Sequence, residues 1–199
     1  NFLLLNYRIL DMSRKYKFTN NEELYFVSFS VINWIDLFIR NEYKEVLIKS
    51  IQYCQQHKDL DVYAYCIMTS HVHLIIGSRG NLMANIMRDL KRHTSEELKK
   101  IIQNNARESR REWILQMMLD AGKQNSNNRN FQLWQQDNHP IELSTEKMMH
   151  QKLDYLHDNP VEAGFVEKAE DWLYSSARQY HTGQKGFLDI IQITSVILS

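Results

Sequence analysis

The sequence has little cysteine, only Cys54 and Cys66 among 199 residues. That excludes a secreted disulfide framework and points to a reducing compartment, with both thiols acting as small buried hydrophobes. An excess of charge is also lacking, because 24 Lys and Arg balance 24 Asp and Glu. No global basic field announces nucleic acid, so any polyanion site must come from local clustering. Long apolar runs are missing too. Phe2-Leu3-Leu4-Leu5 is short and gives way to Asn6, Tyr7 and Arg8, so nothing reads as a signal core or a membrane span. A soluble, cytoplasmic protein without a membrane partner is expected. Met12, followed by Ser13, Arg14 and Lys15, offers a natural start. Residues 1–11 therefore read as an extension outside the core, and 12–199 as a single domain. No internal repeat or domain-sized linker interrupts it.

What is present is clear periodicity. Leu24 to Ile32 alternates, with Tyr25, Val27, Phe29 and Val31 on one face, and reads as a strand. Asn41, as N-cap, opens a helix to His57, with Tyr43, Leu47, Ile51 and Cys54 at helical spacing. Asp61 to Met68 and His71 to Gly77 read as strands joined by a Thr69-Ser70 turn, hence a hairpin. Leu82 to Gln103 reads as a helix, and Arg107 to Ala121 as another that stops at Gly122. Lys123 to Asn130 is loop-like, and Phe131 to Leu143 reads as extended, broken near His139-Pro140. Ser144 or Thr145 caps a helix running to about Asn159, where Pro160 should end it. Phe187 to Leu198 is a strand candidate. Strand–helix–strand–strand–helix around a hairpin predicts an α+β fold: a ferredoxin-like split βαβ core with an antiparallel sheet and helices on one face. An inserted helix and a C-terminal extension are added to that core.

Two stretches carry chemistry. In a strand, residues two apart share a face, so His71 and His73 project side by side while Val72, Leu74 and Ile76 face the helices. Two adjacent imidazoles can bind one divalent ion; two hydrogen-bonded strand histidines are the plainer alternative. On the helix over 144–159, Met149, Leu153 and Leu156 form an apolar stripe. Tyr155 lies off that stripe, on the face of Gln151, Lys152 and Asn159. Asn159 is one turn beyond Tyr155, and its amide oxygen could join two imidazoles on an ion and leave positions open for water or phosphate. A solvated helix that simply ends at Asn159-Pro160 fits the same residues.

Taken together, these segments resemble the HUH single-tyrosine transposases, insertion-sequence enzymes, and more closely their REP-associated tyrosine transposase branch. The resemblance is carried by Ala64–Leu74, which contains His71-Val72-His73, and by Leu133–His139. It continues in Leu153–Gly164, which contains Asp154-Tyr155 and Asn159-Pro160-Val161, and in Asp171–Ala177. It implies a ferredoxin-like core, nucleophilic Tyr155, and one divalent ion, Mg2+ or Mn2+, on His71 and His73. The family's third ligand falls one turn past the tyrosine, at Asn159. It further implies metal-dependent cleavage and rejoining of single-stranded DNA through a 5′-phosphotyrosine, with hairpin-forming element ends as partner. Family members act as monomers or as dimers, so a homodimer is open. A segment over about 105–130 looks longer than in compact members.

Free tyrosine ionises only near pH 10, so attack calls for help. Lys152 is a candidate by charge, as is His139. From Arg79 to Arg111 nine basic residues stand against four acidic ones. Arg88, Lys91 and Arg92 are the candidate phosphate contacts, unless they form a solvated helix face. Trp134 could stack an unpaired base or be buried. Two other classes compete. One is a domesticated, non-catalytic protein that binds DNA hairpins. The other is an unrelated metal hydrolase, which would need further ligands that the motif does not supply.

Overall fold

The computed structural model describes residues 18–124, 130–136 and 138–193. The expectation for residues 1–11 lies outside them.

The central strand pair is β1 (Tyr25–Ser30) and β3 (His71–Ser78), antiparallel, with Ser28 opposite His73 and Ser30 opposite His71. β3 also forms the expected hairpin with β2 (Leu60–Ile67), closed by Met68 N–H to the His71 carbonyl at 2.8 Å. β4 (Ile141–Glu142) adds to the far side of β1, giving the order β2-β3-β1-β4. This is the antiparallel split βαβ sheet of an α+β fold. A register shift between Val62 and Ala64 changes the alternation of β2. Leu60, Val62, Tyr65 and Ile67 enter one core while Ala64 and Cys66 enter the other.

Both faces of the sheet are covered. α1 (Asn41–His57) and α2 (Met83–Asn104) supply Leu47, Ile51, Ile86 and Leu90 to the larger core, against Val27, Val72, Leu74 and Ile76. These two core helices share one face, as the pattern predicts. The inserted helix α3 (Arg111–Lys123) adds Ile114 and Met118 to that core. On the reverse face lies α4 (Glu146–Glu162), packing Met149, Leu153 and Leu156 on Phe26, Ala64, Cys66 and Ile75. A short α5 (Ala177–Thr182) follows. Both cysteines are buried, and burial pushes Cys54 up to about 11 and Cys66 to about 12, so they are inert hydrophobes.

Several boundaries differ from those read in the sequence. β1 is shorter than 24–32, because Val31 bridges to Trp134 and Ile32–Trp34 form a 3-10 turn. Arg40, not Asn41, is the N-cap of α1, and no side chain caps that end. α3 begins at Arg111 rather than Arg107, since residues 105–110 turn around Glu108. Gly122 is buried within α3 rather than ending it. Among the described residues of the stretch expected to be extended, Ile141–Glu142 form a short strand and Trp134 an isolated bridge, with single backbone bonds at Leu133, Gln135, Asn138 and Leu143. Thr145 is the cap of α4, its hydroxyl accepting from Met148 N–H at 3.2 Å.

Pro160 does not end α4. It lies inside the last turn, where its missing N–H removes one i→i−4 bond, and the helix still runs on to Glu162. The stop is Gly164, left-handed at φ +74°, with Gly164 N–H bonding the Val161 carbonyl and Phe165 N–H the Pro160 carbonyl, each at 2.9 Å. That is a Schellman termination, and it needs glycine where a side chain would strain the backbone. The expected C-terminal strand is not formed over residues 187–193, where Ile191 N–H makes one bond to Val62. The rest of that candidate lies outside the described residues.

One buried carboxylate ties the insertion to α1. Glu108 accepts from Arg40 Nε at 2.7 Å and Arg110 Nε at 3.0 Å. Burial alone would raise its pKa, but Arg110 and Arg40 outweigh that and hold it at about 2. A depressed carboxyl contributes stability above its unfolded value of about 4.3, lost as pH falls through the folded value. Thermal unfolding should therefore show a midpoint that drops between roughly pH 4.3 and 2. Glu108→Gln should remove that part of the slope and cost about 2 kcal/mol near neutrality.

Candidate functional site

β3 turns His71, His73 and Ile75 toward α4 because Val72, Leu74 and Ile76 are claimed by the larger core. His71 and His73 lie with ring centroids 4.7 Å apart. His73 is only 3% exposed and stacks on Phe26 at 5.4 Å. Among the described residues, neither His73 ring nitrogen has a hydrogen-bond partner. His71 is better served, with Nδ1 3.2 Å from Ser70 Oγ and Nε2 3.2 Å from Asn159 Oδ1.

α4 brings the other groups. Its apolar stripe fixes its rotation, leaving Tyr155 half exposed with its ring 5.3 Å from His73 and 5.9 Å from Phe26. Lys152 Nζ lies 5.0 Å from the Phe26 ring and 5.3 Å from the Tyr155 ring. The same helix is pinned by buried His157, whose Nε2 is 2.8 Å from Ser176 Oγ, itself accepting from Tyr65 N–H at 3.0 Å. One chain thus assembles His71, His73, Tyr155 and Asn159, the four residues singled out in the sequence, with Lys152 beside them.

Burial lowers the pKa of His73 to about 3, helped by its neighbours His71 and Lys152, which disfavour a second positive charge there. Burial also lowers His71, opposed by the Asn159 bond and by Asp36. Both imidazoles are thereby kept neutral, with lone pairs available. Among the described residues, no three His, Cys, Asp or Glu side chains form a metal-binding cluster. The donors here are instead two imidazoles and an amide oxygen. Cis donors on a six-coordinate ion at 2.0–2.1 Å lie about 3 Å apart, close to the His71–Asn159 spacing. A buried imidazole with two unbonded nitrogens beside such a pair fits a divalent ion.

Other candidates are placed elsewhere. Trp134 is buried in the larger core, its Nε1 donating to Thr94 Oγ1 at 3.0 Å. It therefore cannot stack an incoming base; Thr94 on α2 satisfies its N–H and Phe29 and Phe38 pack its ring. Lys91 binds the chain itself, with Nζ 2.8 Å from the Gln135 carbonyl and 2.9 Å from Asn138 Oδ1. Arg88 and Arg92 extend from α2, across the sheet from α4, and share Asp89 with Lys58. His139 is exposed with a left-handed backbone at φ +39°. The structure thus does not gather Trp134, Lys91, Arg88 or Arg92 with the histidine pair.

Sequence reading missed Phe26, Ser70 and Trp34, whose indole meets His71 edge-on at 5.4 Å. Phe26 could have been found. It alternates with Tyr25 and Val27, so it had to face the other side of β1.

The chain matches the family model described as "Transposase IS200 like" over residues 31–120. A comparison with curated proteins gives no match. Among solved structures, a REP-associated tyrosine transposase bound to a REP hairpin is similar, with TM-score 0.60 and 15% identity. The match covers 90% of this chain and 93% of that one, a likeness of fold.

The buried histidines set a pH dependence. Burial and the nearby His181 lower His157 to about 4, and His73 lies at about 3. A histidine depressed in the fold contributes stability above its unfolded value of about 6.5, lost as pH falls toward the folded value. The thermal midpoint should decline as pH falls from about 6.5 to 4. His157→Gln, which can still bond Ser176, should flatten part of that decline. A flat midpoint across this window in the unsubstituted protein would contradict the burial argument.

Proposed function

We propose, from the premise that the chain belongs to the IS200-like transposase family, that it cleaves and rejoins single-stranded DNA through Tyr155. The observation that carries this is Tyr155 standing beside His73, whose two buried nitrogens have no protein partner among the described residues. The Tyr155 oxygen attacks phosphorus, forming a 5′-phosphotyrosine as the P–O3′ bond breaks. The departing 3′ oxygen takes up a proton. Attack by another 3′-hydroxyl reverses the step, restores the phenol and joins a new strand.

His71, His73 and Asn159 would hold one divalent ion, Mg2+ or Mn2+, which supplies charge neutralisation at the phosphate. Lys152 adds a fixed positive charge beside the nucleophile. Hairpin-forming element ends are the DNA partner in this reading, supported by the REP hairpin bound to the structural relative. In this reading the described residues act as one domain and the protein works in the cytoplasm. Among the described residues, no helix is long and apolar enough to cross a membrane. Each chain carries its own nucleophile and ligands, so a dimer is not required for chemistry.

The test is an adduct assay with single-stranded hairpin oligonucleotides from the element ends and Mn2+. The protein should form a denaturant-resistant DNA adduct, and Tyr155→Phe should form none. His73→Ala should slow adduct formation about a hundredfold. Hairpin binding with no adduct, in Mn2+ or Mg2+, would instead identify a non-catalytic hairpin-binding protein.

A further inference from the structure

The turn from Val31 to Phe38 is the least ordinary backbone near the site. Asn33 and Trp34 are consecutive non-glycine residues in the left-handed region, at φ +53° and +55°. For a bulky side chain that is unfavourable, and it persists only where the surroundings impose it. They do so here. Val31 N–H bonds the Ser70 carbonyl at 2.9 Å, Ile32 N–H the Leu133 carbonyl at 2.8 Å, and Phe38 N–H the Thr69 carbonyl at 2.8 Å. Val31, Ile32, Ile35, Leu37 and Phe38 are all buried. Between these anchors Trp34 is 57% exposed, its ring lying edge-on to His71.

A tryptophan so exposed gains little from burial, and the strained turn holds it in one place. That place is beside a residue assigned to the reacting phosphate. A phosphodiester at His71 and His73 carries a base on each side, and in a single strand those bases are unpaired. An aromatic face at this distance suits a nucleobase of any identity, since every base has a π-face. We infer that Trp34 is a stacking platform for the unpaired nucleobase next to the phosphate at the His71–His73 site. The inference rests on the proposed function for where that phosphate lies. It gives the strained turn the task of positioning substrate.

Binding tests it without requiring cleavage. In a Tyr155→Phe background with Mn2+, affinity is measured for a short oligothymidylate and for an abasic oligomer of the same length. The base-bearing strand should bind about tenfold more tightly, and Trp34→Ala should remove that advantage. Affinity for the abasic strand should be unchanged by Trp34→Ala, and Trp34→Phe should keep much of the advantage. An unaltered thermal midpoint confirms that the variants fold. If Trp34→Ala weakens both strands equally, Trp34 only orients His71, and the inference is overturned; no effect on either strand overturns it too. Because these readouts need no phosphotyrosine, failure of the stacking idea and failure of the covalent chemistry are told apart.

Discussion

β3 must serve two covered faces at once, and the rest of the molecule is arranged around that demand. Val72, Leu74 and Ile76 are fully buried against α1 and α2, while Ile75 is fully buried under α4. A slip of one residue would drive both histidines into the larger core and turn Val72, Leu74 and Ile76 toward α4 in their place. The apolar side therefore fixes the register, and the register delivers the imidazoles. It also forces a cost. An unpaired buried polar group is unfavourable by about 1–3 kcal/mol, and His73 is unpaired at both nitrogens among the described residues. The surrounding apolar packing has to offset this, and Phe26 stacked on the ring is part of it.

α4 solves the matching problem on the other side. A helix laid on a sheet can roll, and a roll of one residue, about 100°, would carry Tyr155 away from His73. Met149, Leu153 and Leu156 oppose that roll by packing, and His157 opposes it by its bond to Ser176. Ser176 in turn holds the β2 backbone at Tyr65. The helix that carries Tyr155 is thus fastened to the same hairpin that carries the histidines. The late Schellman stop at Gly164 matters for the same reason. It keeps Asn159 inside regular helix, so its amide keeps a fixed offset from Tyr155.

What was legible in the sequence is what short-range periodicity controls. His71 and His73 are two apart on a strand, and Tyr155 and Asn159 are four apart on a helix, so each pair could be placed on a face. The hairpin and the α+β order followed from the same rules. That β3 and α4 meet face to face is not a local property; only the family resemblance linked them. The residues that misled are those whose environment is set by distant chain. Trp134 is followed by polar glutamines yet is enclosed by Phe29, Phe38 and Thr94. Lys91 belongs to a basic run yet is bound by Gln135 and Asn138. Pro160 has the look of a stop, but the accounting of donors and acceptors moves the end to Gly164. Trp34 carried no signal, because neither its left-handed backbone nor its approach to His71 is encoded nearby.

In the proposed function a chain with a formal net charge of +0 has to hold a polyanion. The candidate site shows how a small local charge can suffice. Burial keeps His73 neutral and lowers His71, so the imidazoles act as donors of lone pairs rather than as cations. In the proposed reaction the positive charge facing a phosphate therefore comes from Lys152 and from a bound cation. Both act beside a half-buried wall of aromatic rings, where charges interact more strongly than in bulk water. Arg88 and Arg92, out on α2, are exposed and partly neutralised by Asp89, so at ordinary salt they contribute little at the histidine pair across the sheet. Recognition then has to rest on the shape and stacking of an unpaired strand more than on a broad basic surface. With Trp34 as the inferred platform, the proposed reaction would favour single strands over duplex, since a duplex cannot bring its bases to an aromatic platform while its phosphate reaches two histidines recessed under α4.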